Sequence, residues 1–471
     1  MLNQILKRHC RRVKPVTSFL EGSKRAFSGT REGTKSEVLS SIDPYLGKFD
    51  NFLRNVANYE EQLDDNLHPY YMKKDALSGY ATGAGTEKYM KRNRDEIPEE
   101  NFKTPFDSDL KLSSLGIGTY IGAPDDETDF YMYNGIKTSV MSGGVNVIDT
   151  AINYRYQKSE KVIGSVLNTL VNKYGYTRDE LFVASKGGFV PEDSEQGTPG
   201  RVIVEELIRE GHMDKSDVIQ GNVHCIHPKF LENQLEQSLK NMNLETLDLY
   251  YLHNAYEMQG PHNTDNVVMD RLAAAFEFLE SKVEEGKIKN YGLATWLCFR
   301  ARNREEKIYL NLQKVVELAE KVCGKDNHFN YIQVPINVMI PEAFIEPWQD
   351  FNEKRGDETV ATNKTLLAVC SMLNMNLVSS QPLFQGKLSN LALPNQMGVY
   401  NTASRHLQLI RSIPSAGPGS SPLVSTLVGM KNPRHVKYNL EVVKKPLMTR
   451  EEWFDIIKPK KRVEHIDEEV E

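Results

Sequence analysis

The chain has 471 residues, 39% hydrophobic and 26% charged, with a formal net charge of −6. That balance fits an ordinary globular protein and gives no general attraction to nucleic acid, and no apolar run approaches the ~18 residues that a spanning helix needs. Five widely scattered cysteines (Cys10, Cys225, Cys298, Cys323 and Cys370) with no Cys-x-x-Cys pair argue against a disulfide framework and fit a reducing compartment.

The first segment differs from the rest. Residues 1–30 carry Lys7, Arg8, Arg11, Arg12, Lys14, Lys24 and Arg25 against one acid, Glu21. Leu2, Ile5 and Leu6 can share one face of a short basic helix, which is transit-peptide composition. Arg25-Ala26-Phe27-Ser28 resembles a mitochondrial processing site, so residues 1–27 are expected to leave and the mature chain to reside in the matrix. Residues 28–110 are polar with scattered aromatics and read as an N-terminal extension, in which "ALSGYATGAG" (76–85) has the look of a flexible joint.

The texture changes near residue 111. Short apolar or β-branched runs recur at 115–120, 145–150, 181–187, 247–253, 288–296, 331–338, 376–383 and 425–430. Helix-periodic stretches separate them. In 271–286, Leu272, Phe276, Leu279 and Val283 fall on one face and Gly286 supplies the stop. Eight strands alternating with helices over 111–445 predict a (β/α)8 TIM barrel of the α/β class. A doubly wound nucleotide-binding sheet is the rival. Its only phosphate-loop match is Gly116-Ile117-Gly118, followed by Tyr120 and Ile121 where the third glycine belongs. Residues 446–471 form a short helical tail, with Thr449-Arg450-Glu451-Glu452 as a candidate capping box. His224-Cys225-Ile226-His227 has no second ligand pair at suitable spacing, so it reads as loop and no metal site is assigned.

In such a barrel the chemistry belongs at the C-terminal ends of the strands. The second strand ends at Asp149 with Tyr154 in its loop, the third at Lys186 and the fourth at His253. These residue types suit proton transfer coupled to carbonyl reduction. A phenol with a pKa near 10 exchanges protons poorly at neutral pH. A neighbouring ammonium held by a carboxylate is expected to lower it, and His253 to orient the substrate oxygen.

The residues at these positions resemble the aldo-keto reductase family. Its Asp, Tyr, Lys and His tetrad falls on Asp149, Tyr154, Lys186 and His253. "DTAINY" (149–154), "SEKVIG" (159–164), "GLATW" (292–296) and "LVGMKNPRHVKYNL" (427–440) follow its segments in order. The similarity runs from about Ala81 to Val443, and "GTYIGAPDDETD" and "KGGFVP" look closest to a bacterial-type branch of unassigned substrate. The resemblance implies an NADP(H)-dependent reductase of a small-molecule aldehyde or ketone. It places the cofactor on Ala294, Thr295, Gln333, Ser380, Gly429, Met430, Lys431, His435 and Asn439. Gln333 matches the glutamine that holds the nicotinamide amide, and Asn439 is retained. The family's Ser-Asn pair is here Ala294-Thr295, Ser380 replaces the aromatic that stacks on the nicotinamide, and His435 replaces an arginine at the 2′-phosphate, with Lys431 and Arg434 nearby. The alternative is an enzyme-derived accessory or regulatory subunit of a mitochondrial assembly with little turnover. It would dock through the extension or the tail. A third reading is a cofactor-bearing regulatory subunit, as in the potassium-channel β-subunit branch of the family.

Overall fold

All eight predicted strand segments join one parallel barrel, and a helix follows each in the chain. In a computed structural model, strands β1 (Leu115–Gly118), β2 (Val147–Asp149), β3 (Phe182–Gly187), β4 (Leu249–His253), β5 (Tyr291–Ala294), β6 (Phe329–Pro335), β7 (Asn376–Ser380) and β8 (Leu423–Gly429) pair in order, and β8 closes on β1. The outer helices are α1 (Asp126–Met141), α2 (Lys158–Tyr174), α3 (Pro228–Met242), α4 (Asp265–Glu284), α5 (Leu312–Cys323), α6 (Leu366–Met372), α7 (Thr402–Arg411) and α8 (Pro433–Val443). The structure describes residues 75–457 except 192–197, 220–223, 303–305, 357, 394–398, 400, 417–418 and 420. The expected presequence 1–27, residues 28–74 of the extension and 458–471 of the tail lie outside the described residues.

Local signals explain the helices. Asp125 caps α1 by accepting from Thr128 N at 2.8 Å. The predicted apolar face of α4 is buried at Leu272, Phe276, Leu279 and Val283. Gly286 then takes a left-handed φ of +74°, which ends the helix at little steric cost. A hairpin at Gln349–Arg355 and Glu358–Lys364, between β6 and β7, was not foreseen; among the described residues its strands pair only with each other.

The extension is corrected in one respect. Residues 76–85 are a packed closure of the barrel's N-terminal end, and the flexible-joint expectation fails. Leu77 N donates to Asn243 O at 2.8 Å, Ala81 N to Asp248 Oδ1 at 2.6 Å and Thr82 N to Asp179 O at 3.1 Å. Ala81 and Leu112 join the interior cluster formed by Val147, Phe182, Leu249, Tyr331 and Leu427. Gly83 and Gly85 serve close approach. A Cβ on Gly83 would lie 2.0 Å from Asp109 Oδ2, and one on Gly85 2.3 Å from the Asp179 carbonyl. The helix Gly83–Lys91 contributes Tyr89, fully buried, whose hydroxyl donates to Val140 O at 2.7 Å and accepts Val145 N at 3.1 Å. Burying a side chain of that size contributes roughly 1.5–3 kcal/mol.

The tail's capping box forms. Thr449 N donates to Glu452 Oε2 at 2.8 Å, and Glu452 N to Thr449 Oγ1 at 3.2 Å. The helix Arg450–Ile457 buries Trp453, which donates from Nε1 to Leu409 O on α7 at 2.8 Å and meets Phe344 edge-on at 5.6 Å. Its apolar anchor is used on its own barrel, so this turn of the tail is not a free docking arm.

Candidate active site

Strand register sets the rim. Asp149 pairs with Gly118 and Ala184, Lys186 with Tyr251, His253 with Ala294, and Ala294 with Gln333. Ser380 pairs with Pro335, and Gly429 returns to Gly118. The four candidate catalytic residues meet at this mouth. Lys186 Nζ is ion-paired to Asp149 Oδ1 and donates to Thr150 O at 2.7 Å. It lies 5.0 Å from the centroid of the Tyr154 ring. The rings of Tyr154 and His253 meet edge-on at 5.7 Å. Lys186, Asp149 and His253 are buried and Tyr154 is half-buried.

Burial governs the electrostatics. It pushes the Asp149 carboxyl up and the Lys186 ammonium down, and each partner's charge opposes the shift. His253 is held well below the usual histidine range by burial, by the Lys186 charge and by His224, so its ring is neutral. The expectation for Tyr154 is corrected in direction. Burial, then the charge of Asp149, then Tyr120 raise its pKa well above 10. Lys186 donates to Asp149 and Thr150 and stands 5.0 Å from the centre of the phenol ring. The phenol therefore stays protonated, which is the form a proton donor needs.

The turn that delivers Tyr154 carries strain invisible in the sequence. Arg155, Tyr156 and Gln157 take φ values of 51°, 56° and 70°, left-handed without a glycine, at roughly 1–2 kcal/mol per residue. Arg155 offsets this by burying its guanidinium. Nε donates to Ala123 O at 2.8 Å, and NH2 pairs with Asp129, both side chains being almost inaccessible.

The nine cofactor candidates occupy the rim from β5 to α8. Gln333 is buried and donates from Nε2 to Asp149 Oδ2 at 2.8 Å, which joins it to the catalytic pair and leaves Oε1 to accept. Ala294 and Thr295 are buried at the end of β5, and Ser380 ends β7 half-buried. Gly429 ends β8, and Met430 and Lys431 follow it. Asn439 holds this strand end by donating from Nδ2 to Gly429 O at 3.3 Å. A Cβ on Gly135 of α1 would lie 1.5 Å from Met430 O, a constraint that sequence reading missed. His435 is exposed at the start of α8. The residues suit a phosphate-bearing nicotinamide cofactor. The cations Lys431 and Arg434 stand at a helix N-terminus, and the buried Nδ1 of His253 and Oε1 of Gln381 have no hydrogen-bond partner among the described residues.

Aromatic residues flank the acid. Tyr120 meets Tyr154 at 5.1 Å, and Phe189 meets His253 at 5.1 Å. Tyr120 and Ile121 are each 52% exposed.

Residues 114–312 match the family model of the Aldo/keto reductase family. The chain is 25% identical over 191 residues to an "NADH-specific methylglyoxal reductase" of Escherichia coli (strain K12). That match covers 40% of this chain and 49% of the relative, so the chain spans about half the length of that curated protein. Two solved structures are similar. The holo form of an aldo-keto reductase from Bacillus halodurans is 18% identical, with a TM-score of 0.46 over 76% of this chain and 95% of that one. An aldo/keto reductase from Klebsiella pneumoniae in complex with NADP and acetate is 16% identical, with a TM-score of 0.47 over 76% and 94%.

Proposed function

We propose that this chain is an oxidoreductase of the aldo-keto reductase type that reduces an aldehyde or ketone to an alcohol with NADP(H). The observation that carries the reading is the meeting of Tyr154 with the Asp149–Lys186 pair and a neutral His253 at one barrel mouth. The chemistry the cofactor supplies when bound is hydride for the carbonyl carbon. Tyr154, kept protonated by burial, gives its proton to the carbonyl oxygen. Lys186 balances the Asp149 charge beside the phenol and the oxygen that becomes negative. His253, uncharged and close to Tyr154, hydrogen-bonds the carbonyl and sets its direction. Gln333 and Thr295 would hold the nicotinamide amide, and Lys431 with Arg434 the cofactor phosphate. The walls formed by Tyr120, Ile121 and Phe189 favour apolar or aromatic carbonyl compounds over charged ones.

Purified full-length protein, assayed by NADPH and NADH oxidation on a panel from methylglyoxal to aryl aldehydes and ketones, is expected to reduce an apolar member. Calorimetry is expected to give NADP(H) binding at least as tight as NAD(H), because Lys431 and Arg434 both lie at the α8 N-terminus. A clear preference for NAD(H), or no binding of either, would refute the cofactor assignment. Cofactor binding with nothing reduced on the panel would favour the accessory-subunit reading, whose support is the loss of the usual amide and stacking groups at Ala294-Thr295 and Ser380.

The proposal extends to the mitochondrial matrix, supported by the seven basic residues against one acid in 1–27. N-terminal sequencing of the protein from fractionated cells is expected to begin near Ser28. A cytosolic protein beginning at Met1 or Leu2 would overturn it.

A further inference from the structure

His224 belongs to the segment that looked like loop. It is fully buried, and both ring nitrogens are partnered. Nε2 lies 2.8 Å from the His253 carbonyl, and Nδ1 lies 3.2 Å from Gln259 Nε2. The tautomer follows from Arg271 on α4. A guanidinium only donates, so Arg271 NH1, 2.5 Å from Gln259 Oε1, turns the Gln259 amide nitrogen towards His224. Nδ1 must then accept, which places the proton on Nε2 and aims it at the His253 carbonyl. Arg271 is itself fixed by donating from NH2 to Ser216 O at 2.9 Å. Burial pushes the His224 pKa down to about 4, so this neutral tautomer persists through neutral pH.

Two further contacts join the histidines. Phe189 stands edge-on to both, 4.9 Å from His224 and 5.1 Å from His253. At Gly188, where φ is +136°, a Cβ would lie 2.8 Å from His224 Nε2 and 3.1 Å from His253 O, so the contact needs a glycine there. The carbonyl it grips ends β4, immediately before Asn254 turns left-handed at a φ of 52°.

We propose that His224 is a positioning residue for His253: its Nε2 proton on the His253 carbonyl, with Phe189 set against both rings, fixes the imidazole that faces Tyr154. This rests on the carbonyl-reductase reading for its consequence in turnover, but not for the positioning itself.

The test separates the two. In full-length protein labelled with 15N-histidine and free of cofactor, His253 should give one sharp set of ring signals, and His224 should show the Nε2–H form. His224→Phe, which keeps the ring and loses the donor, should shift or broaden the His253 signals. His224→Gln, whose amide can donate, should restore them. With an accepted carbonyl, His224→Phe should lower kcat about 10-fold or more, since displacement of a reacting group by ~1 Å costs up to about 100-fold. KM for the cofactor should stay unchanged, and His224→Gln should recover most of kcat. Unchanged His253 signals in a folded His224→Phe protein overturn the proposal, whatever turnover does. Perturbed signals without any carbonyl turnover uphold the positioning and remove the reductase reading instead. If His224→Phe does not fold, Arg271→Met carries the test. It should free the Gln259 amide, mix the His224 tautomers and broaden His253, and sharp, unmoved His253 signals there overturn the proposal.

Discussion

Tyr154→Phe is expected to lower turnover of an accepted carbonyl by about 10²–10⁴-fold, the usual contribution of a positioned proton donor. Binding of NADP(H) should stay nearly intact, because the lost hydroxyl carries no charge. Lys186→Met should be comparably damaging. Its Nζ pairs with Asp149 and donates to Thr150 O. Without it a bare buried carboxylate faces the phenol and the developing oxyanion, and the proton becomes harder to release. Steady-state kinetics on both variants, with calorimetry for the cofactor, check this. Equal turnover in wild type and Tyr154→Phe would rule out the mechanism.

Arg411→Met is expected to destabilise the fold by at least roughly 1–3 kcal/mol, the cost of leaving a buried acceptor without its donor. Arg411, the last residue of α7, is 0% exposed. Its guanidinium donates to Gln408 Oε1 at 2.9 Å, Ser114 Oγ at 2.9 Å, Val442 O at 2.8 Å and Lys445 O at 2.5 Å. One side chain thus joins α7, α8, the bend after α8 and the residue before β1, and its removal leaves buried acceptors unpaired. Beside it Lys103 donates to Arg411 O at 2.7 Å and Leu423 O at 2.8 Å, and burial, then the Arg411 charge, push its pKa down to about 7. The unfolded chain holds this proton to about pH 10.4, so between about pH 7 and 9 the unfolded state binds more protons. Stability should therefore rise with pH across that window. Denaturant melts at pH 7, 8 and 9 should show that rise in wild type and a flatter one in Lys103→Met. Equal slopes would show that Lys103 keeps its ordinary pKa.

The barrel was legible because its signals are local. An apolar run of six to nine residues followed by a 3.6-period stretch needs no distant partner to be read, and all eight such units close into the barrel. The Asp149, Tyr154, Lys186 and His253 constellation was legible for the same reason, since each ends or follows a strand and the fold places strand ends together. Gly83 and Gly85 were misread because Gly marks both loose chain and tight approach. Only the atoms opposite, Asp109 and the Asp179 carbonyl, distinguish the two.

By itself the sequence determined the strand–helix alternation, the capping box at Thr449–Glu452 and which titratable residues stand at the mouth. Tertiary structure alone decided the Gln333–Asp149 bond across 184 residues, the Arg411 and Lys103 cluster, the His224 contact behind His253 and the upward shift of the Tyr154 phenol. Periodicity and capping act between near neighbours, so they are written in adjacent letters. Desolvation and long-range hydrogen bonding depend on what surrounds a group after the chain has closed around it, and at Tyr154 burial, then the Asp149 charge, raise the phenol.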